Sequence, residues 1–79
     1  MKITQFHAKN QILIEDGNKT IFQSYNSIIA IKENGKITLG KDWDYSKTTG
    51  KYRNKFLGET KSETQRKLNV GVYTLDENI

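Results

Sequence analysis

Asp42 and Asp44 flank Trp43, and two carboxylates sharing one face of an extended segment can move a proton or hold a cation. Lys41 and Lys47 stand close by in the chain, which points to a structural role instead. Asp44 could also cap a following helix, where negative charge is favoured. His7 is the only histidine and has no Ser or Cys nucleophile near it in sequence, so it reads as a surface or half-buried strand residue. Lys47-Thr48-Thr49-Gly50-Lys51 has the Lys and Thr of a phosphate-binding loop. It lacks the preceding glycines whose exposed amides form the cradle, so it is not one. No catalytic set emerges, and the chemistry expected of this chain is binding.

Two groups of side chains could bind. At about 100° per residue, Lys47, Lys51 and Lys55 fall on one side of a helix, a turn apart. Arg53 lies among them, and Lys61, Arg66 and Lys67 follow in the next segment. Such a stripe is either the solvated face of an amphipathic helix or a contact surface for phosphate or an acidic protein. Trp43, Tyr45, Tyr52 and Phe56 form a dense aromatic set. They are either core, expected between the sheet and the first helix, or a stacking platform beside the basic helix in which Trp43 would meet a partner.

The elements that must position these residues are legible in outline. Gln11–Glu15 and Lys19–Tyr25 are β-rich runs joined by Asp16-Gly17-Asn18, a hairpin signal. Ile12, Ile14 and Ile21, with Phe22 or Tyr25, are expected to supply the buried face. Ile3–Ala8 is a weaker strand, expected to run on into the next through a bulge. Ser27–Glu33 and Lys36–Gly40 flank Asn34-Gly35, which suits a type I′ turn. Ile29, Ile31, Ile37 and Leu39 alternate with other residues and are expected on the core face. The period then changes. Ser46 is the expected N-cap of a helix running to Leu57, with Tyr45, Thr49, Tyr52 and Phe56 on its apolar face and Gly58 as its stop. Gly50 in mid-helix suggests close packing there. Thr60-Lys61-Ser62-Glu63 fits a capping box that opens a second helix, ended by Gly71. Val72–Leu75 alternates like a last strand. The fold class is α+β: an antiparallel meander of about four strands, then two short helices and a final strand, in one domain over residues 1–79.

Thirteen Lys and Arg stand against nine Asp and Glu, a net of +4. Residues 46–58 carry Lys47, Lys51, Arg53 and Lys55 and no acid, so the surplus is concentrated there. The absence of cysteine excludes disulfides and thiolate metal sites, and one histidine excludes a multi-histidine site. No cofactor and no metal are expected. No apolar run approaches the roughly 20 residues of a membrane span, and Met1–Gln5 lacks the apolar core of a signal peptide. A cytoplasmic protein with no membrane partner is expected.

Ser24-Tyr25-Asn26-Ser27-Ile28-Ile29-Ala30, Trp43-Asp44-Tyr45-Ser46-Lys47-Thr48-Thr49-Gly50-Lys51-Tyr52, Phe56-Leu57-Gly58 and Gly71-Val72-Tyr73-Thr74-Leu75 resemble a family of small phage proteins. Those proteins carry a WDYS-x-TT-x-KY box. The resemblance implies origin in a phage or mobile element of low-GC bacteria, which fits the abundance of Lys, Asn and Ile. It also implies a non-enzymatic accessory protein in the host cytoplasm that binds a host or defence protein, an anti-CRISPR inhibitor being one such type. The alternative is a nucleic-acid-binding domain that uses the basic helix. An exposed strand edge would also allow two copies to pair.

Overall fold

The computed structural model describes residues 1–79. Five strands follow one another across an antiparallel sheet: β1 (Lys2–Phe6), β2 (Ala8–Asp16), β3 (Lys19–Ser24), β4 (Ser27–Glu33) and β5 (Lys36–Gly40). Two helices follow, α1 (Lys47–Leu57) and α2 (Lys61–Asn69), and then β6 (Thr74–Asp76). The α+β class holds. The meander has five strands, since residues 3–8 do not run on into β2. The chain reverses at His7, whose φ is 67°, and β1 folds back antiparallel on β2. The final strand is Thr74–Asp76 rather than Val72–Leu75, and it lies parallel to β5, with Leu39 opposite Leu75.

Local chemistry sets the boundaries. Asn34 and Gly35 both take positive φ, 53° and 77°, as a type I′ turn requires. The Ser46 hydroxyl accepts from the Thr49 amide at 3.2 Å and caps α1. Gly58 ends α1 in the left-handed conformation and donates its amide to the Asn54 carbonyl. At Thr60 both halves of the capping box are formed.

The core is Phe22, Ile29, Ala30, Leu39, Phe56 and Tyr73. Phe22 of β3 and Phe56 of α1 stack at 5.5 Å, joining sheet to helix. Lys32 reaches from β4 to donate to the Phe56 carbonyl at 2.7 Å, a cation at a helix C-terminus. One expectation is reversed. Leu13, Phe22 and Ala30 align across β2, β3 and β4 on the helix side, which turns Ile12, Ile14, Ile21 and Ile31 to the opposite face. A bulge after Phe22 leaves Ile29 as an extra residue, so both Ile29 and Ala30 are buried. Tyr45 precedes the helix and is 68 % exposed, so it is not part of the buried face.

Candidate functional site

The segment between β5 and α1 is built around Arg53. It is the largest fully buried side chain, 1 % exposed, and not the surface contact its sequence neighbours suggested. Its guanidinium donates to the Trp43 carbonyl at 2.9 Å, to the Asp44 carboxylate at 3.3 Å and to the Asn54 side-chain oxygen at 2.9 Å. The same group lies 5.2 Å from the Trp43 ring centre, and Trp43 packs against the core. Trp43 and Arg53 therefore hold the turn to the helix; Arg53 is withdrawn from the surface, while Trp43 stays half-buried. A sequence signal for this existed. Arg53 stands four residues after buried Thr49 and three before buried Phe56, on their helix face.

Asp42 and Asp44 do not act as a pair. Asp42 accepts from the Ser27 hydroxyl at 2.8 Å, and Asp44 pairs with Arg53 and with Lys61, the latter at 2.7 Å. The bond from Lys61 holds the Asp44 carboxyl below its ordinary range against a smaller upward push from burial, with Arg53 adding to the lowering. No three His, Asp or Glu side chains converge on a point that could hold a metal ion.

Lys47, Lys51 and Lys55 are exposed on α1 and none forms an ion pair. Lys51 and Lys55 lie 5.4 Å and 5.3 Å from the Tyr52 ring centre, and the exposed His7 ring stacks on Tyr52 from β1's end at 6.5 Å. Lys61 and Arg66 extend the basic surface onto α2. Lys61 is neutralised in part by Asp44. Lys67 points elsewhere. It is bound to Glu59 at 2.6 Å, so it belongs to the structure rather than to a contact surface.

Beside the lysines lies a feature that sequence reasoning missed. An open groove of about 510 Å³ runs along Tyr25, Asn26, Ser27, Tyr45, Ser46 and Thr48. Tyr25 is 45 % exposed and Tyr45 68 % exposed. The groove shares Ser46 with a neighbouring cleft lined by Lys47, Lys51 and the Lys61–Asp44 pair, so the aromatic and hydroxyl surface continues into a net cationic one. Tyr25 occupies the first position of the β3–β4 turn with φ 56°, a conformation a bulky residue adopts only at a cost. The backbone thereby spends stability to present this ring to solvent.

The model of a family of unknown function, DUF8033, matches residues 2–71. The chain belongs to DUF8033. No curated protein and no solved structure matches it. The DUF8033 span contains the Arg53 anchor, the tyrosine groove and the lysine face, and ends just before Tyr73 and β6.

Proposed function

We propose that this DUF8033 protein is a non-enzymatic binding module that engages an acidic patch of another protein. The observation that carries this reading is the tyrosine groove adjoining, through Ser46, the cleft of unpaired Lys47 and Lys51, with Lys55 one turn further along α1. Tyr, Ser and Asn are the residues of protein-recognition surfaces. The rings give area with few rotors to freeze, while hydroxyls and amides adapt their hydrogen bonds. The lysines add steering and discrimination against basic partners. The resemblance to small phage proteins supports a host or defence protein in the host cytoplasm as partner, and inhibition of a CRISPR-type effector as one outcome of binding. A nucleic-acid reading draws support from Tyr52 between Lys51 and Lys55, but Trp43 is half-buried against the core and offers only part of its ring for stacking.

Two variants test the proposal. Tyr25→Gly relieves the strained turn and removes a ring, so it should fold at least as well as the wild type and capture far less partner from host lysate. Lys47→Glu, Lys51→Glu and Lys55→Glu together should abolish capture, since the local field changes sign. Undiminished capture by both folded variants would refute this surface. Binding to arbitrary DNA that falls steeply between about 50 and 200 mM salt, with no protein captured, would establish the nucleic-acid reading instead.

A further inference from the structure

The helices cover one face of the sheet, and the other face carries isoleucines. Register places Ile3, Ile14, Ile21 and Ile31 in one row across β1 to β4, with Ile12 in the adjacent row. None of these joins the core cluster; Ile3 is 62 % exposed, and Ile12, Ile14, Ile21 and Ile31 are half-buried. An antiparallel sheet with one solvated face normally turns polar residues outward there. This sheet turns branched apolar ones, the kind that interdigitate when two sheets pack about 10 Å apart.

The margin of that face indicates what covers it. At the hairpin end, Asp16 pairs across to Lys19, Lys19 to Glu33, and Glu33 to Lys36. By strand alternation, all four share the isoleucine face. Their signs run minus, plus, minus, plus over four adjacent strands, and none of them forms an ion pair within the chain. Such a row is neutral, and it becomes its own complement when reversed. A two-fold axis parallel to the strands, between β3 and β4, would bring Asp16 over Lys36 of the second copy and Lys19 over Glu33 of the second copy. The same operation sets Ile21 against Ile31 of the second copy. The exposed lysines of α1 stay on the far layers, pointing away from the contact. A strongly acidic or basic partner would gain nothing from a neutral row.

We propose that the isoleucine face is an isologous interface on which a second copy of this chain packs sheet to sheet. It is separate from the tyrosine and lysine surface and leaves two such surfaces facing outward.

Sedimentation equilibrium of the full chain, up to about 1 mM, should show a species of twice the 9.1 kDa monomer mass. Ile21→Lys with Ile31→Lys should weaken association by about tenfold or more. These side chains lie outside the core, so the circular dichroism spectrum should be retained. Charge variants keep the proposal testable if that double variant unfolds. Lys19→Glu should weaken association, because it opposes Glu33 of the second copy. Adding Glu33→Lys should restore association, whereas within each chain it only exchanges one like-charged neighbour pair for another, so an intrachain effect alone would give no recovery. A 9.1 kDa species at every concentration would overturn the proposal. Undiminished association of the isoleucine variant would overturn it too.

Discussion

Glu59 connects the two helices to the end of the chain. Its carboxylate, 4 % exposed, accepts from the Thr64 hydroxyl at 2.6 Å, Lys67 at 2.6 Å and the Tyr73 hydroxyl at 2.7 Å. Burial alone pushes this carboxyl up, but the Lys67, Thr64 and Tyr73 donors together outweigh it, and the group titrates below its ordinary 4.5. The folded state therefore prefers the ionised form more than the unfolded chain does. The resulting stability is complete above about pH 4.5 and disappears as pH falls through the lower folded value. Asp44 acts in the same direction. Tyr73 is held neutral by burial and by Glu59, so its contribution is present below pH 10 and is lost as pH rises through its higher folded value. Urea unfolding of the wild type should show stability falling from pH 5 to pH 3, and Glu59→Gln should flatten that slope. At neutral pH, Glu59→Ala strands three donors and should cost on the order of 2 kcal/mol. A flat profile in the wild type would show that the carboxylate is not held as described.

At the scale of elements, two glycines with similar sequence surroundings have opposite roles. A Cβ on Gly40 would overlap the Ile28 carbonyl oxygen, so β4 and β5 could not keep their approach. Gly40→Ala should cost about 1–3 kcal/mol. A Cβ on Gly50 would meet only the Arg53 guanidinium at 3.5–3.8 Å, which is ordinary contact. The close packing expected at Gly50 is therefore not what keeps it glycine, and Gly50→Ala should raise stability by up to about 1 kcal/mol. Thermal melts of the two variants, one lowered and one raised, check both. The sequence revealed what local chemistry decides: the caps at Ser46, Gly58 and Thr60, and the turn at Asn34-Gly35. It could not reveal which way the strands face. Ile12-Leu13-Ile14, Ile21-Phe22 and Ile28-Ile29-Ala30-Ile31 are apolar on both sides, so alternation assigns no inside. The helix layer decides it, by giving Phe22 a partner in Phe56. The tyrosine groove was equally hidden, since Tyr25 and Tyr45 meet the same space only after the sheet forms.

Over the whole molecule, one contact carries much of the union between layers. Phe56 stacks on Phe22 and meets Phe6 edge-on at 6.2 Å. Phe56→Ala should cost about 3–5 kcal/mol, a large share of the roughly 5–15 kcal/mol that holds a small domain together. A melting point within a few degrees of the wild type would show that the layers are joined elsewhere. The order of strands in the sheet, which follows their order in the chain from β1 to β6, bears on how the protein folds. Each of the first five strands finds its neighbour across a short turn, so closing each pair loses little chain entropy. The β5–β6 pairing must instead enclose everything from Lys41 to Tyr73, and it returns only three residues of parallel ladder. This seam should form last and open first. In native-state hydrogen exchange, amides of residues 74–76 should exchange well before those of β2, β3 and β4, through partial opening that leaves the meander zipped.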